Sequence, residues 1–193
     1  MIVDLLRHGR TERDHIFRGS TDVPLSDLGW TQMQAACGED RWGRVITSPL
    51  GRCLHFAQHV SDQSGANLSI ESRLAEYDFG DWDGKTYDEV MQTSAIQVNQ
   101  FFTDPKSITP PNGEPFVNFQ QRISAFWKML TDLGASETDP PSVLVVAHGG
   151  VIISILGLVL EVEHLFGKIA MPYACRSRIQ IDKDGRSSLV YHR

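Results

Sequence analysis

The feature that most restricts the fold of this 193-residue chain is a run of five apolar residues that ends at a histidine and two glycines. The run covers residues 143–147, the turn is His148-Gly149-Gly150, and a second apolar run follows over residues 151–160. Five consecutive aliphatic residues without alternation predict a strand that is buried on both faces. A buried strand followed at once by a buried helix is typical of a parallel sheet that helices cover on both sides.

Shorter apolar runs predict the other strands of the sheet. They are residues 2–6, 45–47, 67–70, 178–181 and 188–191, of which the last two form a hairpin around Asp184-Gly185. The first strand ends at Arg7-His8-Gly9 and the second at Ser48-Pro49.

Capping residues and helical spacing predict the connecting helices. Ser26 is predicted to cap a helix to about Arg41, whose inner side carries Leu28, Met33, Ala36 and Cys37. Ser48 is predicted to cap a second helix, with Pro49 at its first position. Further helices are predicted around residues 86–102, 116–133 and 151–160. Because strands alternate with helices, we predict one α/β domain over residues 1–193, a three-layer α/β/α sandwich with a mainly parallel central sheet.

Charge and cysteine content restrict the partners and the compartment. A net charge of −6 argues against a general nucleic-acid or acidic-membrane binder, which usually has a basic surface. Three widely spaced cysteines without a CxxC pair indicate reduced thiols. Asp4 interrupts the first apolar run, and residues 151–160 are about half the length of a membrane span. We therefore expect a cytoplasmic protein, a monomer or a homodimer, with no nucleic-acid or membrane partner.

Residues suited to chemistry follow the ends of three predicted strands. They are Arg7 and His8, then Arg52, then His148. In an open parallel sheet the carboxyl ends of the strands share one edge, where ligands bind. Two arginines and two histidines that are far apart in sequence are therefore expected to converge on one pocket.

These residue types suit phosphoryl transfer. A guanidinium offers a planar pair of donors to a phosphate dianion, and the N–H groups of Gly149 and Gly150 at a helix start add to anion binding. An imidazole can accept a phosphoryl group and release it to water. A carboxylic acid is then needed to protonate the leaving alkoxide, and both Glu76 and Asp78 are candidates because neighbouring aromatic residues can raise a carboxyl pKa.

The other histidines are assigned to structure or surface. His55 and His59 have the i, i+4 spacing of a zinc pair on a helix, but no third ligand stands out nearby. A metal site is therefore the less favoured interpretation. The remaining three histidines, none of which forms a pair with ligand spacing, are His15, His164 and His192.

Six ordered segments resemble the motifs of the histidine phosphatase superfamily, in its phosphoglycerate-mutase-like branch. The first, Leu6-Arg7-His8-Gly9-Arg10-Thr11, resembles the R-H-G-x-T signature. The others resemble D-x-P-L-[ST]-x-x-G at 22–29, S-x-L-x-R-[AC] at 48–53, E-x-x-F-G-x-W-[ED]-G at 76–84, G-E-[ST] at 113–114, and the second histidine turn at 148–150. Five ordered matches beyond the signature make the resemblance specific.

The resemblance implies a phosphatase with a phosphoglycerate-mutase-like fold that needs no metal ion or other cofactor. It implies that His8 is the phosphorylated nucleophile and that Glu76 is the proton donor. The implied phosphate clamp consists of Arg7, Arg52 and His148. The implied substrate side contains Arg18, Gly19 and Glu114.

The chain departs from the family pattern at two positions. Asp14 stands where many members have asparagine, and a carboxylate beside a phosphate is unfavourable, so Asp14 is left out of the predicted site. Pro115 stands where a serine or threonine usually follows Gly113-Glu114, so a hydroxyl contact is lost there.

The resemblance also suggests the substrate. Residues 17–22, 109–114 and 172–175 are most similar to bacterial α-ribazole-5′-phosphate phosphatases, which implies hydrolysis of α-ribazole 5′-phosphate in cobalamin biosynthesis. One alternative is a phosphoglycerate mutase or a broad-specificity sugar-phosphate phosphatase. Mutases of this branch resemble the chain less, because they generally carry a longer insert and a C-terminal extension. A second alternative is a non-catalytic module that binds a phosphorylated ligand.

Overall fold

The computed structural model describes residues 1–163 and 165–193. Within these ranges six strands and five α-helices alternate along most of the chain. Their bounds are β1 Ile2–Arg7, α1 Asp27–Cys37, β2 Arg44–Thr47, α2 Gly51–Ser64, β3 Asn67–Ile70, α3 Tyr87–Thr103, α4 Phe116–Ser136, β4 Val143–Ala147, α5 Gly149–Leu160, β5 Arg176–Ile181 and β6 Ser187–His192. The predicted strands are all present, and the loop over residues 71–84 contains two short 3₁₀ turns.

The strands form one sheet in the order β3-β2-β4-β1-β5-β6. The first four strands run parallel to one another, while β5 pairs antiparallel with both β1 and β6. The prediction of a mainly parallel sheet is therefore confirmed. Arg7 of β1 pairs with Ala147 of β4, and Thr47 of β2 pairs with Val146. This register brings the carboxyl ends of β1, β2 and β4 to the same edge of the sheet.

Helices cover the two faces of the sheet and bury alternate residues of each strand. In β4, Val143, Val145 and Ala147 pack into the core that includes α3, α4 and α5, whereas Leu144 and Val146 pack into the core that includes α1 and α2. The three-layer α/β/α arrangement is therefore confirmed. In the two described ranges, no helix combines the length and the apolar character that crossing a membrane requires.

Helix α1 differs from the prediction in its end and in one of its inner residues. It stops at Cys37 instead of reaching Arg41, because Gly38 takes a positive φ of 55° and donates its N–H to the Gln34 carbonyl. Leu28 was expected on the inner side but is 51% exposed. The buried face is set by Gly29, Met33 and Cys37 at i, i+4 and i+8, and Leu28 lies about 100° around the helix from it.

Helix α2 is not capped by Ser48 as predicted. Its N-cap is Leu50, which offers no side-chain hydrogen bond, and the Gly51 N–H is instead accepted by Asp22 Oδ2 at 2.7 Å. Ser48 is fully buried and its hydroxyl contacts His148 Nε2 at 2.7 Å. The serine therefore belongs to the site below and not to the helix cap.

Candidate active site

The strand edge brings the predicted catalytic residues together, as expected from the topology. The imidazole centroids of His8 and His148 are 5.3 Å apart, and Arg52 Nε lies 3.2 Å from His148 Nδ1. A cavity of about 310 Å³ opens beside His8, while Arg52 and His148 are fully buried and are not among the residues that line it. The residues that line it are Arg7, His8, His15, Ile16, Phe17, Arg18, Glu76, Phe79, Tyr87 and Phe102.

His8 is held as a neutral ring with a defined tautomer. Its Nδ1 lies 2.8 Å from the Gly9 carbonyl oxygen, which can only accept, so Nδ1 carries the proton and Nε2 has a free lone pair. Burial lowers the pKa of His8 well below its usual range, and the charges of Arg7 and Arg52 lower it further. A free imidazole nitrogen at neutral pH is the form required of a nucleophile.

His148 is also neutral but has the opposite tautomer. Its Nδ1 accepts from Arg52 Nε, so Nε2 carries the proton and donates to Ser48 Oγ. Burial lowers the pKa of His148 well below its usual range, with Arg52 and His8 adding to the effect. Both nitrogens of this ring are engaged, in contrast to His8.

Arg7 has an unused donor beside the first turn of α5. Its Nε is buried and has no hydrogen-bond partner among the described residues, while Nη1 donates to the Met171 carbonyl. A Cβ placed on Gly149 would lie only 3.5 Å from this Nε, so the guanidinium lies against the helix start. The Tyr173 ring packs under the guanidinium at 4.5 Å from Cζ. An orphan cationic donor next to a helix N-terminus is suited to an anion.

Arg52 is fully buried, and its guanidinium fixes the loop over residues 18–22. Nη1 donates to the Thr21 carbonyl at 2.9 Å, and Nη2 donates to the Gly19 carbonyl at 2.8 Å. The N–H groups of the same loop are taken by Asp83, whose Oδ2 accepts from Gly19 at 3.0 Å and whose Oδ1 accepts from Thr21 at 2.9 Å. Arg52 therefore binds the backbone carbonyls of the loop, and Asp83 binds its backbone N–H groups.

The predicted substrate-side residues of this loop have different surroundings. Arg18 lines the cavity and donates to the Arg13 carbonyl at 2.6 Å and to the Tyr173 hydroxyl at 3.0 Å. Gly19 is a buried residue of this loop, and a Cβ at this position would lie 2.0 Å from the Tyr77 carbonyl oxygen. Only glycine permits that approach.

Glu76 lines the cavity, whereas its rival Asp78 is occupied elsewhere. Glu76 Oε2 accepts from the Gly150 N–H at 3.1 Å, which places the carboxylate at the start of α5. Asp78 Oδ1 accepts from the Gly80 N–H at 2.9 Å, within its own loop, and Asp78 is not among the described residues that line the cavity. Of the two carboxylates, only Glu76 is positioned to reach a bound ester.

Glu114 is not brought to the cavity. Both of its carboxylate oxygens accept from Arg122, at 2.8 Å each. Arg122 also donates to the backbone carbonyls of Ala75 and Glu76. Glu114 therefore stabilises the segment that carries Glu76 from behind.

Asp14 lies beside the site without an unpaired charge. One of its oxygens pairs with Arg10, and the other accepts from the Tyr173 hydroxyl at 2.9 Å. The same hydroxyl accepts from Arg18 at 3.0 Å. These partners explain how a carboxylate is tolerated at this position.

Sequence analysis missed three residues that organise the site. Ser48 and Asp83 both stand in matched family segments, at 48–53 and 76–84, but Ser48 was assigned to a helix cap and neither match indicates the distant partner. Tyr173 precedes β5, far along the chain from the loop that it contacts. No spacing signal in the sequence connects these positions.

The histidines assigned to structure or surface do not extend the site into a metal centre. Within residues 1–163 and 165–193, no group of three or more His, Cys, Asp or Glu side chains could hold a metal ion. His59 packs against Trp30, with the ring centroids 5.2 Å apart. His15 lines the cavity rim, and His164 lies outside the described residues.

Comparison with known proteins agrees with this geometry. Glucosyl-3-phosphoglycerate phosphatase of Mycolicibacterium vanbaalenii is 36% identical to the chain over 165 residues, which cover 81% of the chain and 72% of that protein. Adenosylcobalamin/alpha-ribazole phosphatase of Escherichia coli is 30% identical over 153 residues, covering 77% and 73%. The crystal structure of the alpha-ribazole phosphatase from Shigella flexneri superposes with a TM-score of 0.84 at 26% identity, covering 98% of the chain and 94% of that protein.

The sequence model of the histidine phosphatase superfamily (branch 1) matches residues 3–192, nearly the whole chain. The relatives named above are phosphatases, and the two histidines and two arginines converge as the family motifs implied. The chain therefore belongs to branch 1 of the histidine phosphatase superfamily and is a phosphatase.

Proposed function

We propose that the chain, as one domain over residues 1–193, hydrolyses phosphomonoesters of small metabolites through a phosphohistidine on His8. The observation that carries the proposal is the state of the His8 ring. Its Nδ1 is committed to the Gly9 carbonyl, which leaves Nε2 as a nucleophile on the cavity wall. The Arg7 side chain lines the same cavity, and its buried Nε has no hydrogen-bond partner among the described residues.

In the first step His8 Nε2 attacks phosphorus, and the P–O bond to the leaving alcohol breaks. The leaving oxygen takes a proton from Glu76, which therefore enters the step as the neutral acid. In the second step water attacks the phosphohistidine, Glu76 accepts its proton, and the P–N bond breaks to release inorganic phosphate. Both steps balance without a metal ion or an added cofactor.

The phosphoryl group is held by the clamp that the family motifs imply. We expect Arg7 Nε, which has no partner among the described residues, and the Gly149 N–H at the start of α5 to bind its oxygens. Arg52 and His148 are engaged in the structure, so each must exchange a present partner for a phosphate oxygen. For Arg52 the exchange of a neutral carbonyl for a dianion is favourable, because charge-assisted hydrogen bonds are stronger.

The finer substrate assignment in this proposal is α-ribazole 5′-phosphate. It is supported by the resemblance of three segments and by the similarity to the two alpha-ribazole phosphatases. A glycosylated phosphoglycerate is the second candidate, because the relative with 36% identity is a glucosyl-3-phosphoglycerate phosphatase. The three free cysteines support a reducing, cytoplasmic compartment, and a monomer or homodimer remains our expectation.

The test is a panel of phosphomonoesters that includes α-ribazole 5′-phosphate, glucosyl-3-phosphoglycerate and p-nitrophenyl phosphate. It is run in the presence of EDTA on the wild type and on His8→Ala, with the exposed His55→Ala as the matched control. We expect His8→Ala to lower kcat at least about 10⁴-fold while the variant still folds, as judged by its circular dichroism spectrum, because the covalent step is lost. Equal activity of His8→Ala and the wild type would refute the mechanism. Release of an isomer in place of phosphate would identify a mutase.

A further inference from the structure

Five of the ten residues that line the cavity beside His8 are apolar or aromatic. We call this group the aromatic shelf. It consists of five residues, Ile16, Phe17, Phe79, Tyr87 and Phe102.

The aromatic shelf is built by backbone pairing between two loops. The Phe17 N–H donates to the Lys85 carbonyl at 2.9 Å, and the Tyr87 N–H donates to the His15 carbonyl at 3.1 Å. This pairing sets Tyr87 parallel to Phe17, with ring centroids 6.0 Å apart and an interplanar angle of 17°. Phe102 of α3 stacks on the same ring at 6.3 Å and 30°. Tyr87 and Phe102 are therefore both packed on the Phe17 ring.

The outer rings of the shelf are open to solvent. Phe102 is 52% exposed and Tyr87 is 44% exposed, whereas Phe17, on which both rings pack, is buried. Large aromatic side chains that remain exposed inside a concave site leave apolar surface to be covered by a ligand. His8 lines the same cavity, so one ligand can cover these rings and present a phosphate to His8.

We propose that the aromatic shelf is the leaving-group subsite and that it accepts a planar, uncharged aromatic base carried by a sugar phosphate. This inference rests on the proposed phosphatase function and identifies which residues recognise the substrate. The base stacks on the exposed faces of Tyr87 and Phe102 while the sugar spans the distance to His8. Stacking on such rings is tolerant of the exact base, because every aromatic base offers a π-face.

The polar groups near the shelf favour an aromatic base over an acidic or polyhydroxylated leaving group, because few of them are available to bind a carboxylate or several hydroxyls. A phosphoglycerate needs a cation for its carboxylate, and a sugar needs several hydrogen-bonding partners. Arg18 lines the cavity, and its Nη1 and Nη2 bind Thr11, Arg13 and Tyr173, so a carboxylate would bind there only by displacing these partners. The shelf side chains are aliphatic or aromatic, with the Tyr87 hydroxyl as their one polar group.

The experiment compares two substrates with the same leaving atom. α-Ribazole 5′-phosphate and ribose 5-phosphate both release a primary 5′-alkoxide, but only the first carries the aromatic base. We expect Phe102→Ala and Tyr87→Ala each to lower kcat/KM for α-ribazole 5′-phosphate about tenfold, the scale of base–aromatic stacking. Both variants should leave ribose 5-phosphate within about twofold of the wild type. The control is Ile96→Ala, which removes an exposed apolar side chain of the same helix outside the cavity.

The outcomes separate the subsite from the proposed function. Hydrolysis that depends on His8 but falls equally for both substrates, or for neither, overturns the subsite and leaves the phosphatase proposal intact. A wild type that prefers glucosyl-3-phosphoglycerate and is unaffected by Phe102→Ala overturns the subsite as well. Absence of any His8-dependent hydrolysis refutes the proposed function.

A binding measurement decides the subsite even without turnover. Calorimetry of the dephosphorylated nucleoside, α-ribazole, against His8→Ala and against the double variant His8→Ala/Phe102→Ala tests the shelf alone. About tenfold weaker binding by the double variant supports the subsite. Equal affinities for the two proteins would overturn it.

Discussion

The two sides of the cavity differ in how their side chains are held. On the phosphate side His8, Arg52 and His148 are buried, and each has a defined hydrogen-bond partner. In the aromatic shelf Tyr87 and Phe102 are about half exposed, and their rings stack on Phe17.

The difference shows which side tolerates change. Replacing a buried, hydrogen-bonded group leaves its partners unsatisfied and affects every substrate. Replacing an exposed ring removes apolar contact and affects only the substrates that use it. We therefore expect variants of the phosphate side to alter chemistry and stability together. Variants of the two exposed shelf rings, Tyr87 and Phe102, should alter substrate specificity alone. The following predictions test the phosphate side of this contrast.

After His8→Ala, the largest effect on the phosphate side is expected for Glu76→Gln. Loss of the proton donor should slow an alkyl phosphate about 100-fold but p-nitrophenyl phosphate less than about tenfold, because nitrophenolate leaves without a proton. Steady-state kinetics on both esters measures the ratio. Asp78→Asn is the matched control and should change neither rate appreciably. Equal losses on the two esters would remove Glu76 from the acid role.

The next effect concerns Arg52→Ala. Removing the guanidinium should weaken inhibition by inorganic phosphate about 50-fold and lower the free energy of unfolding by about 3 kcal/mol, because the Gly19 and Thr21 carbonyls lose their donor. Phosphate inhibition constants and urea denaturation measure the two changes. Arg52→Lys keeps the positive charge but lacks the planar pair of donors. It should therefore recover only part of the phosphate inhibition and only part of the free energy of unfolding. An unchanged inhibition constant would contradict the clamp.

A third effect concerns pH and stability. The folded-state pKa values of His8 and His148 lie below the unfolded value, so at acid pH the unfolded chain binds more protons than the folded one. Stability should therefore fall as the pH drops below about 6.5, the pKa of histidine in the unfolded chain. Urea denaturation at pH 7.5 and 5.5 measures this loss. His148→Gln should lose about half as much, and an equal loss would show that His148 is not responsible.

The smallest effect is expected for Tyr173→Phe. The variant keeps the ring beneath Arg7 but removes the hydroxyl that joins Arg18 to Asp14. We expect KM to rise about threefold with kcat nearly unchanged, because a single hydrogen-bonding group is lost at the cavity edge. Tyr173→Ala also removes the ring and should lower kcat further. A Tyr173→Phe variant indistinguishable from the wild type would assign the tyrosine a packing role only.

Local patterns were sufficient for the scaffold. Apolar runs marked the strands, and alternation with helices gave the sheet edge at which Arg7, His8 and His148 meet, because hydrophobic periodicity reports burial directly. The predicted end of α1 was wrong because Gly38, with a positive φ, ends the helix before the predicted Arg41. The cap of α2 was wrong because Ser48 has a competing partner 100 residues away.

The sequence by itself determined the α/β fold, the shared strand edge and the residue types suited to phosphate, since these follow from burial patterns and from the order of the motifs. Only the tertiary structure decided that Asp83 and Arg52 hold the same loop, that Glu76 rather than Asp78 lines the cavity, and that Glu114 binds Arg122. It also decided the tautomers of the two histidines and the stacking of the aromatic shelf. These contacts join residues far apart in the chain, and their hydrogen-bond geometry depends on packing that no local pattern encodes.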